Sequence, residues 1–290
     1  MSPLRQRMLD ALVLRGKAAR TQEAYIEAVA LMDRHFGRRP DTLTSQEVQQ
    51  YLLHLLRERK LARSTVNQYG CALRFFYGTV LGWDSGAFQI PLAPAPQRLP
   101  EIWSREELAR LFACACHDKA RTFLKVAYGT GLRLSEMCRL GVADIDSHAD
   151  RMCIHVRLGK GGKDRYVPLA DDVLQLLRAW WRGAHPEPWL FGALRDPSQP
   201  LSDRLAQRWF YAARAHAGVT KCGGIHSLRH AYATHMLEAG YDLHSLQQWL
   251  GHNHVSTTMR YLHLARPDQP DGARAARMQL LSALPTIGTH

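Results

Sequence analysis

Residues 152–169 read MCIHVRLGKGGKDRYVPL, and within them the chain changes from a helical to a stranded pattern. Two β-rich segments, 152–158 and 164–169, flank the glycine-rich stretch GKGGK at 159–163. This pattern predicts an antiparallel hairpin whose tight turn carries two lysines. The protein is therefore expected to hold a small antiparallel β-sheet.

Helical patterns lie on both sides of this hairpin. Ser104 and Glu107 form a capping box, the arrangement in which each residue satisfies a backbone N–H of the other at a helix start. The helices expected in this half of the chain lie at about 104–116, 119–129, 171–183, 202–217, 227–239, 242–250 and 255–263, with a short one at 274–284. Residues after 103 should therefore be mainly α, with the hairpin as a small β element.

A proline-rich stretch, 84–103, separates this half from the N-terminal half. It reads DSGAFQIPLAPAPQRLPEIW, with four prolines within ten residues. Proline lacks the backbone N–H that a helix needs, so no helix continues through such a stretch. Repeated proline favours an extended connector, and the sequence predicts a domain boundary there.

Residues 1–83 have a helical pattern throughout and no β signal. Helices are expected at about 4–15 and after Thr21, and Thr44 with Glu47 forms a capping box that opens a helix to about Arg59. Ser64 is expected to cap a further long helix that ends at Gly82. The predicted fold class is thus mainly α with a small antiparallel β-sheet, in two domains.

The composition indicates a partner rich in phosphate. Lys and Arg number 38 against 26 Asp and Glu, which gives a net charge of +12 at pH 7. Residues 1–100 and 101–290 each carry +6. Arginine, whose planar guanidinium fits phosphate oxygens, supplies most of the positive charge. The charge predicts nucleic-acid binding through both halves of the chain.

Other sequence features restrict the location. No run of about 18 apolar residues is present, so no membrane span or membrane partner is expected. The first ten residues, MSPLRQRMLD, lack the apolar core of a secretory signal. The six cysteines are scattered without metal-ligand spacing. We expect a cytoplasmic, nucleoid-associated protein.

Three short motifs carry the residues that could perform chemistry. GTGLRLSE at 129–136 delivers Arg133 at a helix start, and HSLRH at 226–230 places His226 and Arg229 on one helix face. LGHNHVSTTMRYLHL at 250–264 contains a histidine on a glycine-led turn and a tyrosine nine residues later. Each motif alone is more often structural than catalytic.

Together with GKGGKDRYVPL, these motifs resemble the tyrosine recombinase, or phage integrase, family, in its Xer-like and integron-integrase-like members. The motifs occur in the family's order, and the intervals of 3, 23 and 9 residues between His226, Arg229, His252 and Tyr261 match compact members. The resemblance covers nearly the whole chain. The insertion in the catalytic domain of integron integrases has no evident counterpart here.

The resemblance implies a function for each part of the chain. Residues 1–83 are similar to the family's helical core-binding (SAM-like) DNA-binding domain, and 84–103 is the linker. Residues 104–264 are similar to the catalytic domain, and 265–290 form a C-terminal tail that family members often exchange between protomers.

The same resemblance implies the residues that act on the scissile phosphate. Tyr261 would be the nucleophile, leaving a 3′-phosphotyrosyl link. Arg133 and Arg229 would hold the non-bridging oxygens, and His252 would hydrogen-bond the phosphate. Two guanidiniums placed there stabilise the charge that develops during attack.

The resemblance also assigns proton transfer and support. Lys160 would protonate the departing 5′ oxygen, with Lys163 as the alternative, and His226 would assist proton transfer to or from Tyr261. Glu136 would support the arginines or a histidine. Because arginines would do the work of a metal, no cofactor and no metal ion are expected.

Three further histidines receive no catalytic role from the sequence. His230 directly follows Arg229, so it is expected to point elsewhere on the helix and to be structural. His254 and His263 flank the last motif and are left unassigned.

The expected partners are double-stranded DNA and three further copies of the chain, since the resemblance implies a tetramer on two DNA sites that recombines through a Holliday junction. Local similarity to integron integrases favours DNA integration of a mobile element. Xer-type resolution of chromosome or plasmid dimers stays an alternative, as does a non-catalytic DNA-binding module of the same fold. A type IB topoisomerase-like enzyme is disfavoured by the Xer-like motifs and the small N-terminal domain.

Overall fold

The computed structural model describes residues 2–84, 101–157, 164–252, 254–262, 281–282 and 284–285. The chain divides into two compact units, Met1–Arg98 and Leu99–His290. The division falls within the stretch that the sequence predicts as a linker, of which residues 85–100 lie outside the described residues.

The N-terminal unit is helical. Its helices are α1 (Pro3–Leu14), α2 (Ala19–Phe36), α3 (Ser45–Arg57) and α4 (Arg63–Arg74), with a short 3-10 turn at Pro40–Thr42 and a π-helical segment at Phe75–Val80. The capping box of Thr44 and Glu47 is present at the start of α3. The apolar faces enclose one core, with Leu12, Met32 and Val48 among its buried residues.

Two details of this unit differ from the sequence expectation. Ser64 does not cap α4, because the helix begins at Arg63 after Ala62, which makes no side-chain cap. The expected continuous helix also changes to π-helical turns at Phe75. The π turns accompany the burial of two adjacent aromatic residues, Phe76 and Tyr77, which a regular α-helix would direct about 100° apart.

The C-terminal unit combines eight helices with a three-stranded sheet among its described residues. The helices are α5 (Arg105–Ala113), α6 (Asp118–Thr130), α7 (Leu134–Cys138), α8 (Asp171–Ala184), α9 (Asp203–His216), α10 (His226–Glu238), α11 (Leu243–Leu250) and α12 (Val255–Leu262). The strands are β1 (Ile145–Asp146), β2 (Cys153–Val156) and β3 (Arg165–Pro168). The predicted capping box of Ser104 and Glu107 opens α5.

The sheet is antiparallel with the order β1-β2-β3. The predicted hairpin is β2–β3, in which Ile154 pairs with Val167 and Val156 pairs with Arg165. Strand β1 is too short to leave a periodic signal in the sequence. The tip of the hairpin, 158–163, which includes Lys160 and Lys163, lies outside the described residues.

Helix α10 lies in the centre of this unit. It packs against α6 on one side and α12 on another, and residues on all of its faces are buried, among them Leu228, Tyr232 and Met236. A helix that is surrounded in this way belongs to the core. Any charged side chain on α10 near this packing must therefore find its partners inside the protein.

The C-terminal tail is described only at four residues. The predicted helix at 274–284 lies almost wholly outside the described residues, and Leu281 and Ser282 are in a turn. Their backbone N–H groups donate to Asp172 Oδ2 at 2.7 and 3.0 Å, and Leu281 and Leu284 pack against the core. Among the helices of the described ranges, none has the length and apolarity to cross a membrane.

Candidate active site

Three arginines converge on the C-terminal end of α11, each on a different backbone carbonyl. Arg165 Nε donates to the carbonyl of Trp249 at 2.8 Å, Arg229 Nη2 to that of Leu250 at 2.5 Å, and Arg133 Nη2 to that of Gly251 at 2.5 Å. The last carbonyls of a helix have no partner within the helix, and the end carries partial negative charge. Three guanidiniums are thus gathered immediately before His252.

Arg229 is the most deeply buried of the three. Only 2% of it is exposed, and its Nη1 also donates to the Gly131 carbonyl at 2.7 Å. Its buried Nε has no hydrogen-bond partner among the described residues. Burial, reinforced by the charge of Arg133, lowers the pKa of Arg229 to about 9, so the guanidinium stays charged at neutral pH. It can offer that charge to an anion.

Arg133 is positioned by the turn that precedes it. Gly131 has φ of +61°, and a Cβ at this position would lie 2.4 Å from the ring of Tyr232 on α10. Only glycine allows the turn to approach α10 so closely. Arg133 then starts α7, with its backbone N–H and its Nη1 both donating to Glu136 at 2.8 Å.

Glu136 holds two of the arginines through one buried carboxylate. Arg133 Nη1 donates to its Oε1. Arg165 Nη1 and Nη2 donate to Oε1 and Oε2 at 2.8 and 2.7 Å. Burial alone would raise the pKa of Glu136, but the hydrogen bonds and charge of Arg165, with those of Arg133, lower it to about 2. The carboxylate therefore stays ionised. Its predicted supporting role agrees with these contacts.

Arg165 is a site residue that sequence reasoning missed. It begins β3 two residues before the buried Val167, so both side chains point to the same face of the sheet. That alternation is present in the sequence. Through Arg165, the base of the hairpin is tied to Glu136 and to the end of α11.

Two of the expected histidines lie beside the arginines. The pKa of His226 is lowered to about 4, first by burial and then by His230 and Arg229. The pKa of His252 is lowered to about 3 by burial and by Arg229 and Arg133. His252 Nδ1 lies 2.8 Å from Thr258 Oγ1, which fixes its ring at the start of α12. Both imidazoles are neutral at neutral pH.

Tyr261 on α12 points into this cluster, with only 3% of it exposed. Its ring stacks on His252, with 6.3 Å between ring centroids. Its hydroxyl lies 2.8 Å from Nδ1 of His230. The expectation that His230 points elsewhere is wrong. His226 and His230 are four residues apart, which places them on one helix face and brings their ring centroids to 4.8 Å.

The structure thus brings together six of the seven residues named from the sequence: Arg133, Glu136, His226, Arg229, His252 and Tyr261. Lys160, its alternative Lys163, and His263 lie outside the described residues. His254 is exposed. A buried tyrosine hydroxyl, neutral imidazoles and persistent guanidinium charge are the groups that a reaction at a phosphate diester needs.

Two family models match the chain. The phage integrase family model matches residues 103–267, and the model for the phage integrase N-terminal SAM-like domain matches residues 4–86. A putative integrase/recombinase of Sinorhizobium fredii, y4qK, is 40% identical over 91% of this chain and 85% of its own length. Tyrosine recombinase XerD of Pseudomonas aeruginosa is 32% identical over 91% of this chain and 93% of that protein.

Solved structures share the fold. A lambda integrase tetramer bound to a Holliday junction superposes with a TM-score of 0.73 at 19% identity, covering 93% of this chain and 78% of the other. The Tn1549 transposon integrase in complex with circular intermediate DNA gives 0.67 at 18% identity, covering 89% and 94%. At these identities the likeness concerns the fold alone.

The matches to both units and the extended similarity to integrases and recombinases agree with the site. The chain belongs to the phage integrase family of tyrosine recombinases, enzymes that cleave and rejoin DNA strands.

Proposed function

We propose that this protein is a site-specific recombinase that integrates a mobile DNA element, cutting double-stranded DNA through a 3′-phosphotyrosyl link at Tyr261. The observation that carries this proposal is the convergence of the Tyr261 hydroxyl with Arg133 and Arg229 at the end of α11. The names of the relatives, integrase and recombinase, support the wider class.

Each group in the site has a chemical task in this reaction. Arg133 and Arg229 bind the non-bridging oxygens of the phosphate, and Nε of Arg229, which has no partner among the described residues, donates to one of them. His252, neutral because its pKa is about 3, donates a hydrogen bond to the phosphate without adding a third positive charge to those of the two arginines. Lys160 on the hairpin protonates the departing 5′ oxygen. The energy of the broken bond is kept in the phosphotyrosyl link, so a DNA 5′-hydroxyl can reverse the step.

Covalent capture tests the cleavage step and selects, from a large pool of sequences, the duplexes that carry the recognised site. Purified protein is incubated with nicked duplexes of random sequence, in which cleavage near the nick releases a short oligonucleotide and traps the adduct. We expect a detergent-resistant adduct whose peptide map places the link on Tyr261. Tyr261→Phe should bind DNA without forming it. No adduct from the wild-type protein, or an adduct that persists in Tyr261→Phe, would contradict the proposal.

The strands that the protein joins then distinguish between the possible biological roles. Joining of strands between two different duplexes is expected of a recombinase, whereas rejoining confined to one duplex would indicate a topoisomerase-like enzyme. Junctions mapped in cells should connect the ends of an element to a target. Junctions confined to repeated copies of one chromosomal or plasmid site would assign the protein to dimer resolution instead.

The proposed assembly is a homotetramer on two DNA sites, with a Holliday junction as the intermediate. The fold similarity to a lambda integrase tetramer supports it. We include exchange of the C-terminal tail, since the described part of the tail is held at one acidic acceptor, Asp172, which accepts from two backbone N–H groups. The same carboxylate of a neighbouring copy can accept from these N–H groups when the tail is exchanged.

Removal of residues 268–290 tests the exchange. Pairing of two DNA sites should be lost, while binding to one site stays within about twofold, because residues 268–290 contain two arginines and two acidic residues and therefore carry no net charge. Asp172→Asn should weaken pairing in the same direction. Unchanged recombination by the truncated protein would rule out the exchange.

A further inference from the structure

His230 lies against the reacting atom that the proposed function assigns to this protein. Its Nδ1 is 2.8 Å from the hydroxyl of Tyr261, and the two ring centroids are 5.6 Å apart. This separation is that of a direct hydrogen bond between oxygen and nitrogen. His226, to which the family resemblance assigns proton transfer, lies on the same face of α10, and its ring contacts that of His230.

We propose that His230 is a catalytic residue, the group that takes the proton from the Tyr261 hydroxyl during attack and returns it when the phenolate leaves. This inference rests on the proposed function, because it concerns the nucleophile of that reaction.

A phenol needs such a partner. The hydroxyl of tyrosine has an ordinary pKa of about 10 and is a poor nucleophile at neutral pH until a base removes its proton. A general base must lie within hydrogen-bond reach of the proton, at roughly 2.6–3.2 Å between heavy atoms. The contact between His230 and Tyr261 meets this condition. It requires the neutral ring with the proton on Nε2, so that Nδ1 can accept.

Two elements present titratable groups to His230. His226 faces it from α10, where Arg229 is the preceding residue, and Tyr261 faces it from α12. His252, which precedes α12, stacks on the ring of Tyr261. A phosphate diester bound at the site brings negative charge, and negative charge nearby stabilises the protonated imidazole that forms when His230 accepts the phenolic proton.

Each bond and each proton is accounted for in both cleavage and rejoining. During cleavage, the Tyr261 oxygen forms a bond to phosphorus as the bond between phosphorus and the 5′ oxygen breaks. The phenolic proton moves to Nδ1 of His230, and the 5′ oxygen takes a proton from Lys160. During rejoining, the 5′-hydroxyl attacks phosphorus and gives its proton to Lys160. His230 then protonates the departing phenolate, so that each group regains its starting state.

Two substitutions separate proton transfer from positioning. His230→Asn can place an amide oxygen near the position of Nδ1 and accept the hydrogen bond, but it cannot carry the proton. His230→Ala removes both. We expect both variants to form the Tyr261 adduct on a captured, nicked duplex roughly a hundredfold more slowly than wild type, the lower range for general acid–base catalysis. Binding of the uncleaved duplex should be unchanged. Cleavage by His230→Asn near the wild-type rate would overturn the inference.

The same helix offers a matched control. His235 lies five residues further along α10, and its Nδ1 is 2.9 Å from the hydroxyl of Tyr128 in a buried pair away from the three arginines. His235→Asn should cleave at the wild-type rate at temperatures where it is folded. An equal loss in His235→Asn would show that the effect comes from helix packing, and would overturn the inference.

The dependence of the cleavage rate on pH gives a second reading. Without His230, the proton must pass to solvent, so the rate of His230→Asn should keep rising with pH where the wild-type rate has levelled. An unchanged pH profile would overturn the inference. If wild type forms an adduct that Tyr261→Phe lacks while His230→Asn matches wild type, the inference falls and the proposed function stands. If wild type forms no adduct, both fall.

Discussion

The two halves of the chain carry equal net charge but place their charged side chains in different surroundings. In the N-terminal unit, the ion pair of Arg34 and Glu27 has side chains that are 64% and 61% exposed. In the C-terminal unit, the Glu136 side chain is 8% exposed and that of its partner Arg165 is 10% exposed. Water screens the first pair, whereas removal of one partner from the second leaves a charge buried without compensation. The exposed pair therefore adds little to stability, whereas the buried pair fixes the geometry of the site.

Glu136→Gln should have the largest effect, because Glu136 has the least exposed side chain of the two pairs compared. The substitution keeps the size of the side chain but removes the charge that holds Arg133 and Arg165. We expect the free energy of unfolding to fall by about 3–5 kcal/mol, the cost of breaking a buried ion pair. Cleavage should fall roughly a hundredfold because Arg133 loses its support. Chemical denaturation and the adduct assay measure the two effects.

The pH dependence of stability checks the cause. The pKa of Glu136 is lowered from 4.5 to about 2 in the folded protein, so its contribution is present above about pH 4.5 and is lost as the pH falls toward 2. The difference in stability between wild type and Glu136→Gln should therefore shrink over that window. A difference that stays constant from about pH 6 to about pH 2.5 would show that lost charge is not the reason.

Arg165→Lys tests the geometry of the cluster with its charge kept. Lysine cannot donate both of the parallel hydrogen bonds to Glu136 while it also reaches the carbonyl of Trp249. We expect a loss of about 1.5–3 kcal/mol in the free energy of unfolding, the range for hydrogen bonds to charged groups. Cleavage should fall by roughly tenfold, since the start of β3 is no longer held at Glu136 and at the end of α11, beside the site.

Binding of uncleaved DNA provides the control for Arg165→Lys, because the charge is unchanged. A variant that binds and cleaves like wild type would show that Arg165 acts through charge alone.

The comparison also explains what can be predicted from the sequence. Helix starts with local chemistry, such as Thr44 with Glu47 and Ser104 with Glu107, are predicted and confirmed, because residues three apart determine them. The β2–β3 hairpin is predicted from its β-rich segments and glycine-rich turn. The prediction of Ser64 as a cap is wrong, since the cap position of helix α4 is Ala62, two residues earlier.

Contacts between distant segments account for what the sequence does not reveal. Arg165 and Glu136 are 29 residues apart, and no local pattern shows that a strand residue will meet a carboxylate on a short helix. The spacing of His230 from Arg229, taken alone, gives it no role. Its spacing of four from His226 places it on the same helix face as that residue, but the contact with Tyr261 depends on how α12 packs on α10.

The smallest effects should come from the matched changes in the N-terminal unit, Glu27→Gln and Arg34→Lys. They repeat the chemistry of the two buried substitutions on an exposed pair, so each should change the free energy of unfolding by less than about 1 kcal/mol. The cleavage rate should be unchanged, and Glu27→Gln should not weaken DNA binding because it removes a negative charge. Added salt should reduce even the small effect on stability, whereas the effect of Glu136→Gln should persist because its partners are shielded from ions. Equal losses in Glu27→Gln and Glu136→Gln would mean that burial does not set the value of a charge in this protein, and the distinction between its two halves would have to be abandoned.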